Sequence, residues 1–180
     1  MSENKLETLI GHEKIAERVA ELGAAISKDY EGQEILIVCV LRGAQIFAAD
    51  LMRNIPNDIV IDFISVSSYG ASTNSSGVVR FLKDLEESVQ GRHVLIVEDI
   101  VDTGLTLTYL VDNIRARGPM SLRTCALLDK PSRRKVDIKP DYCGFAIPDF
   151  FVVGYGFDNN QKYRNQKNIC ILEGASEELL

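Results

Sequence analysis

Three carboxylates are clustered in the segment VLIVEDIVDTGLTLTYL, which runs from 94 to 110. Glu98 and Asp99 close an apolar run, and Asp102 lies in the turn that follows, before a helix-like pattern begins. An ionised carboxylate is costly to bury without a partner, so these acids need helix caps, ion pairs or a ligand. A ligand that carries hydroxyls, a metal ion or a transferable proton would meet that need. Asp102, in the turn itself, is free to act as an acid or base.

The turn D-T-G-L-T has a composition that suits phosphate. Backbone N–H groups at a helix start lack partners within the helix and favour an anion. Gly104 allows the backbone to approach a ligand closely, and the hydroxyls of Thr103 and Thr106 can donate hydrogen bonds. The G-x-x-x-x-G-K pattern of a Walker loop is missing. The structural alternative is that Asp102 or Thr103 only caps the helix.

The elements that must position this turn alternate between strand and helix patterns. Apolar runs predict strands at 34–41, 58–66, 93–100 and 121–129. Apolar residues at helical spacing predict helices around 15–26, 44–55 and 107–114, and short apolar pieces follow Pro131. This order predicts an α/β fold with a mostly parallel central sheet flanked by helices and a small C-terminal subdomain over one edge. Because parallel sheets bind ligands at the carboxyl ends of their strands, the acidic turn is well placed.

Composition and charge limit the classes of function. The chain has 180 residues, 46% of them hydrophobic and 26% charged, which is typical of one globular domain spanning 1–180. Its net charge of -6 argues against bulk binding of nucleic acid or an anionic membrane. The start MSENKLETLI does not resemble a secretory signal, and no apolar run approaches membrane-spanning length.

Four cysteines stand singly in the sequence, and there are two histidines. Neither a C-x-x-C pair nor a metal-ligand spacing is present, so we expect reduced core thiols and no zinc site. Reduced thiols predict a cytoplasmic protein.

A polar stretch, SSYGASTNSSG at 67–77, is long for a connection inside a compact α/β domain. Such loops are often lids or binding loops, although a disordered hairpin tip is the alternative.

The segment VLIVEDIVDTGLTL resembles the phosphoribosyl pyrophosphate signature of the type I phosphoribosyltransferases: an apolar strand, two acidic residues, then D-T/S-G-x-T. Other segments resemble the hypoxanthine-guanine branch of that family, in the same order along the chain: VLRGA, SSYG, LLDKPSRR, KPDYCGFAIPDFFVVGYGFD and YRN. The resemblance covers roughly 35–172. It implies the type I phosphoribosyltransferase fold, with a hood built from about 1–10 and 140–180 and a mobile loop at about 68–79.

The resemblance implies that a purine attacks C1 of phosphoribosyl pyrophosphate, with Mg²⁺ as cofactor, to give a nucleoside monophosphate and pyrophosphate. Asp102 would be the catalytic base. The implied phosphate and ribose site consists of Glu98, Asp99, Asp102, Thr103, Gly104, Leu105 and Thr106. The implied metal contacts are Glu98, Asp99 and Asp158.

The resemblance assigns the remaining groups to pyrophosphate, purine and lid. Pyrophosphate would be bound by Arg42, Gly43 and Arg164, beside a peptide bond that is often cis in the family. The purine would be bound by Lys130, Phe151, Val152 and Asp158, and the lid would include Ser68 and Tyr69. Family members often carry Lys at the positions of Arg42 and Leu105, so this chain departs from the pattern there. The implied partners are phosphoribosyl pyrophosphate, a 6-oxopurine and further copies of the chain, as a homodimer or homotetramer.

Three alternatives compete with a purine transferase. A regulator of the same fold could sense phosphoribosyl pyrophosphate and bind RNA through the basic cluster Arg133, Arg134 and Lys135, although the acidic balance disfavours this. A transferase of the same fold could prefer xanthine or a pyrimidine, and Lys130 argues against the pyrimidine. An aspartyl phosphatase would need two aspartates flanking a single residue, which EDIVDTG lacks.

Overall fold

The computed structural model describes residues 5–68 and 79–172. Its helices are α1 (His12–Asp29), α2 (Gln45–Arg53) and α3 (Leu105–Ala116), with a 3₁₀ helix at Pro131–Arg133. Its strands are β1 (Leu6–Ile10), β2 (Ile35–Leu41), β3 (Ile59–Ser68), β4 (Val79–Lys83), β5 (His93–Val101), β6 (Ser121–Asp129), β7 (Tyr142–Ala146), β8 (Val152–Val153) and β9 (Ile169–Leu172). The four predicted long strands and three predicted helices are confirmed, with small shifts at their ends.

Six strands form the central sheet in the order β4-β3-β2-β5-β6-β7. The strands β3, β2, β5, β6 and β7 run parallel to one another. The edge strand β4 pairs with β3 in the antiparallel sense. The predicted mostly parallel sheet is therefore confirmed. β4 was not predicted, because the segment VRFLK has only five residues and its neighbouring apolar residues Phe81 and Leu82 break the strict alternation of a strand.

Both faces of the central sheet are covered by helices. The odd-numbered residues from Ile35 to Cys39 lie in the apolar cluster that includes α1 and α2. The even-numbered residues from Leu36 to Val40 lie in a second cluster, which includes α3. Since successive side chains of a strand point to opposite faces, β2 contributes to both layers, as its unbroken apolar run predicts.

A smaller antiparallel sheet has the order β1-β9-β8. It joins the two ends of the described chain, with Leu6 opposite Leu172. The strand β1 was not predicted, since LETLI is too short to show a clear period. Among the helices of the described residues, none is both long and apolar enough to cross a membrane.

The strand order reverses direction between β2 and β5. The chain leaves β2 through α2 and returns to β3 on one side, whereas it leaves β5 through α3 and reaches β6 on the other. Such a switch point opens a crevice at the carboxyl ends of the two strands, which is where open α/β sheets bind ligands.

Candidate active site

A cleft of about 210 Å³ lies at the carboxyl ends of β2 and β5. Among the residues that line it are several predicted site residues: Arg42, Gly43, Glu98, Asp99, Thr106, Asp158 and Arg164. The fold thus brings together the predicted pyrophosphate residues, the acids Glu98 and Asp99, and Thr106 from the predicted phosphate turn, which is the turn at 102–106.

Glu98 is a buried carboxylate in this cleft. Its residue is 7% exposed, and its Oε2 has no hydrogen-bond partner within the described parts of the chain. Burial, followed by the neighbouring charge of Asp99, raises the pKa of Glu98 well above its usual value. A buried polar atom that the fold leaves unbonded is a candidate for binding a ligand.

Asp99 lies beside Glu98 and against the loop after β2. Its Oδ1 accepts a hydrogen bond from the N–H of Ile100 at 2.8 Å. A Cβ added to Gly43 would lie 1.5 Å from Asp99 Oδ2, so only glycine fits at that position. Burial raises the pKa of Asp99 to about 6. Both acids line the cleft, although neighbouring strand residues point to opposite sides, because the cleft lies at the strand's end rather than on one face.

These acids fit a magnesium ion that is shared with a substrate. Within 5–68 and 79–172, no group of three or more His, Cys, Asp or Glu side chains is arranged to hold a metal. Mg²⁺ usually keeps several waters and binds one or two carboxylates together with substrate phosphates. Glu98, with its unbonded oxygen, and the adjacent Asp99 supply such a pair.

The segment after β6 donates hydrogen bonds to main-chain carbonyl groups in and just before the phosphate turn. The bonds run from Lys130 N–H to Val101, from the Arg134 guanidinium to Asp102 and from Lys135 N–H to Thr103, at 2.9, 2.6 and 2.9 Å. The turn leads directly into α3, whose first N–H groups lack acceptors inside the helix. The arrangement therefore suits an anion at the start of α3.

Gly104 is the residue at which α3 begins to turn. Its φ is 85°, in the left-handed region, and a Cβ there would lie 2.7 Å from the side chain of Ile138. No side chain caps the helix at this residue. The Thr103 hydroxyl accepts only a long bond, 3.4 Å, from the N–H of Leu105. Capping therefore does not account for Asp102, and Leu105 is an exposed residue at the helix start.

Asp102 stands at one end of a chain of ion pairs that reaches Lys130. Asp102 Oδ1 accepts from Arg133 Nε at 3.1 Å, and Arg133 Nη1 donates to Asp149 Oδ2 at 3.1 Å. Asp149 Oδ1 in turn accepts from Lys130 Nζ at 3.0 Å. Lys130 is 6% exposed, and an ammonium group is buried at reasonable cost only beside an anion. Hydrogen bonds from Lys130 and Arg133 lower the pKa of Asp149.

The predicted basic cluster is largely neutralised within the protein. Arg133 pairs with Asp102 and Asp149, and Arg134 pairs with Asp129. Two of its three cations are therefore used inside the fold, which does not favour an RNA-binding surface there.

Gln161 links the two predicted pyrophosphate arginines. Its Oε1 accepts from Arg42 Nη1 and from Arg164 Nη2, each at 3.0 Å. Arg164 also pairs with Asp158 at 2.6 Å and donates to the carbonyl of Gly156 at 2.6 Å. Sequence reasoning did not select Gln161, because a single amide in a polar loop carries no pattern.

The loop after β2 is packed tightly against a glycine from the C-terminal part of the chain. Gly156 has φ 103°, and a Cβ there would lie 2.2 Å from the carbonyl oxygen of Gly43. The Leu41–Arg42 peptide bond is cis, which agrees with the resemblance described above.

Two of the predicted purine residues, Phe151 and Val152, lie outside this cleft. Phe151 packs against the apolar cluster of the small sheet, and Val152 is buried in the main core. Neither is among the described residues that line the cleft. Ser68 is the last residue of β3, while Tyr69 and most of the predicted lid fall outside the residues that the structure describes.

Comparison with known proteins gives a consistent result. The family model "Phosphoribosyl transferase domain" matches residues 6–160. The chain is 51% identical over 167 residues to the hypoxanthine-guanine phosphoribosyltransferase of Bacillus subtilis, with 93% of each chain covered. It is 50% identical over 171 residues to that of Mycobacterium avium, with 92% of this chain and 84% of the relative covered.

A solved structure agrees over nearly the whole chain. The hypoxanthine-guanine phosphoribosyltransferase from Bacillus anthracis has a TM-score of 0.90 and 50% identity, covering 94% of this chain and 99% of that one. Together with the fold and the cleft, these matches show that the chain belongs to the phosphoribosyltransferase family, in its hypoxanthine-guanine branch.

Proposed function

We propose that the chain is a purine salvage enzyme, which transfers the 5-phosphoribosyl group from phosphoribosyl pyrophosphate to hypoxanthine or guanine. The products are IMP or GMP and pyrophosphate. The observation that carries the proposal is the buried, unbonded oxygen of Glu98 in a cleft that also contains two arginines and the start of α3. That combination suits a ligand with both hydroxyl and phosphate groups.

The pyrophosphate leaves beside the loop after β2. Arg42 and Arg164 donate to its oxygens, because a guanidinium matches phosphate geometry. In this structure both arginines donate to the Gln161 side chain, and pyrophosphate oxygens compete with Gln161 for these donors. Gly43 lets the backbone approach the leaving group without displacing Asp99, because any side chain at this position would collide with the Asp99 carboxylate.

The ribose 5-phosphate is bound at the turn and strand end. The N–H groups of 103–106 and the hydroxyls of Thr103 and Thr106 hold the phosphate. Glu98 and Asp99 accept from the ribose hydroxyls. Together with Asp158 they would hold Mg²⁺, which would supply positive charge for the pyrophosphate.

The base binds near the ion-paired groups of Lys130 and Asp102. Lys130 donates to the 6-oxo group of the purine. Asp102 takes the proton from N7 of the purine as its N9 bonds to C1 of the ribose and pyrophosphate leaves. Phe151 covers the purine ring, and the main chain of Val152 accepts from ring N–H groups. The small sheet forms the hood over this side, and the lid that includes Ser68 and Tyr69 excludes water from the reacting carbon.

We also propose that the enzyme is a cytoplasmic homodimer or homotetramer. All four cysteines are free, which is consistent with a reducing compartment.

The proposal is tested by incubating the protein with phosphoribosyl pyrophosphate, Mg²⁺ and each of hypoxanthine, guanine, xanthine and adenine. We expect IMP and GMP to form and adenine to react about 10⁴-fold more slowly, because its 6-amino donor would face the Lys130 donor. Comparable rates with adenine would contradict the assigned role of Lys130. No nucleotide from any of the four bases would overturn the proposed function.

A variant tests the proton-transfer step. Asp102→Asn should lower kcat by about 10²–10⁴-fold, which is the usual contribution of a general base. Asp84→Asn is the matched control, because Asp84 also pairs with an arginine, Arg117, but outside the cleft. Near wild-type turnover of folded Asp102→Asn protein would remove Asp102 from this role.

A further inference from the structure

We infer that Arg133 and Asp149 are positioning residues of the purine site, which hold Asp102 and Lys130 at the separation that a 6-oxopurine requires. The inference rests on the proposed function, since it takes Lys130 and Asp102 as the groups that bind the base. Neither Arg133 nor Asp149 needs to touch the purine for this role.

The geometry of the chain of ion pairs supports this role. Arg133 uses two different nitrogens, Nε toward Asp102 and Nη1 toward Asp149. Asp149 likewise uses two different oxygens, Oδ2 toward Arg133 and Oδ1 toward Lys130. Arg133 and Asp149 are therefore each held by a partner on both sides. Because the guanidinium and the carboxylate are planar and rigid, they define the distance between Asp102 and Lys130.

Three separate parts of the chain meet in this arrangement. Asp102 comes from the turn between β5 and α3, Arg133 from the 3₁₀ helix after β6, and Asp149 from the loop between β7 and β8. Lys130 directly follows β6. Because the pairs join segments far apart in sequence, they fix the position of the purine lysine relative to the phosphate turn.

The chemistry of the ligand explains why such spacing matters. The O6 and N7 atoms of a 6-oxopurine lie on the same edge of the ring. A donor for O6 and an acceptor for the N7 proton must therefore be held side by side. Lys130 is almost fully buried, so its ammonium group needs the Asp149 anion in the free protein, and this same pair orients it before the base arrives.

The ordinary alternative is that these pairs only add stability. The side chains of Arg133 and Asp149 are 34% exposed, and ion pairs that reach solvent usually add little stability. Stability measurements alone would therefore not separate the two roles. A ligand comparison does, because a positioning role acts on ligands that carry a base and not on ligands that lack one.

The experiment measures the affinities of GMP and of ribose 5-phosphate by calorimetry for Arg133→Gln and Asp149→Asn. We expect each variant to bind GMP about tenfold or more weakly, which is the effect of losing one charge-assisted contact. Ribose 5-phosphate should bind as it does to the wild type. In kinetics, KM for hypoxanthine should rise while KM for phosphoribosyl pyrophosphate stays unchanged. The ratio of the two affinities does not depend on the folded fraction, so partial unfolding cannot imitate the result.

The matched control is Arg92→Gln. Arg92 also bridges two carboxylates, Glu34 at 2.8 Å and Glu87 at 3.1 Å, but it lies at the amino end of β5, away from the carboxyl end where the cleft is. It should change neither ligand's affinity. If Arg133→Gln and Asp149→Asn behave like Arg92→Gln, or weaken both ligands equally, the inference is overturned.

A double variant tests whether the two residues act through one chain. Either substitution alone should leave the distance between Asp102 and Lys130 unfixed. Arg133→Gln combined with Asp149→Asn should therefore weaken GMP binding by less than the product of the single losses. Fully multiplicative losses would contradict the linkage. A wild-type protein that binds ribose 5-phosphate but neither binds nor forms GMP would instead refute the purine assignment in the proposed function.

Discussion

Two buried carboxylates on the strands that flank β2 have opposite properties. Asp62 on β3 is 5% exposed and accepts three main-chain hydrogen bonds, from Phe63, Glu86 and Glu87 at 2.6, 2.7 and 2.7 Å. Glu98 on β5 is 7% exposed and has an oxygen without a partner in the described structure. Burial alone would raise both pKa values, but the hydrogen bonds from Glu87, Phe63 and Glu86 lower the pKa of Asp62, whereas that of Glu98 is raised.

The difference shows that burial does not distinguish a structural acid from a functional one. Asp62 is satisfied by the fold, since it ties the segment after β4 to β3. Glu98 has an oxygen that none of the described residues satisfies, which is the property expected of an acid that binds a ligand. The predictions below test this contrast.

Among the variants that test this contrast, the largest loss of activity is expected for Glu98→Gln. The amide keeps the shape of the side chain but removes the charge, so kcat/KM should fall by on the order of 10²-fold, as for other groups that stabilise charge in an active site. The free energy of unfolding should stay the same or increase, because a neutral amide is cheaper to bury than a carboxylate. Steady-state kinetics and urea unfolding measure both. Lost stability with unchanged kinetics would place Glu98 in the same class as Asp62.

Asp62→Ala should show the reverse behaviour. Three main-chain N–H groups lose a charged acceptor, so the free energy of unfolding should fall by about 3 kcal/mol. The kcat/KM of the protein that remains folded should be nearly unchanged. Asp62→Asn keeps one acceptor oxygen and serves as the graded control. A stable but inactive Asp62→Ala protein would break the comparison.

Gly43→Ala tests the position of Asp99 without changing a charge. The new Cβ would lie 1.5 Å from Asp99 Oδ2, so the carboxylate has to move. A displacement of about 1 Å at a reacting site can lower activity by roughly 10²-fold, and we expect a loss between tenfold and that value. Gly32→Ala is the control, because Gly32 has φ 72° but no atom within 4 Å of its added Cβ. It should cost about 1 kcal/mol of stability and leave kinetics unchanged.

The smallest effect is a difference in pH dependence, measured on metal-free protein. The folded-state pKa of Asp99 is about 6, above its ordinary 3.8, so the folded protein keeps this proton where the unfolded chain has lost it. Relative to Asp99→Asn, the wild type should therefore lose stability as pH rises from about 4 to about 6. The lowered pKa of Asp62 predicts the opposite sign: relative to Asp62→Asn, stability is present above the ordinary pKa and is lost as pH falls through the folded value. Urea unfolding at several pH values measures both slopes, and slopes of the same sign would contradict the contrast.

The parts of the fold that sequence predicts are those with local patterns. β2 is an unbroken apolar run, β5 contains the apolar run from Val94 to Val97, and the turn at 102–106 combines an acid, a glycine and two threonines at a fixed spacing. β1 and β4 are only five residues long, which is too short for a clear local pattern, and β1 pairs with β9 at the far end of the described chain.

The parts of the site that sequence does not predict depend on tertiary contacts. Asp149 and Gln161 are single polar residues in loops, and their roles follow from Lys130, Arg133, Arg42 and Arg164, which the fold brings to them. The basic segment SRRK suggests a positive surface in the sequence, but in the structure carboxylates neutralise both of its arginines.

The pairing of Leu6 with Leu172 has a consequence for how the protein is made. Translation delivers β1 first and β9 last among the described strands, so β1 must wait for almost all of that sequence to emerge before its partner exists. The central sheet can assemble earlier, because its neighbours follow one another more closely along the chain. A nascent chain therefore acquires the turn at 102–106 before the small sheet that joins its two ends.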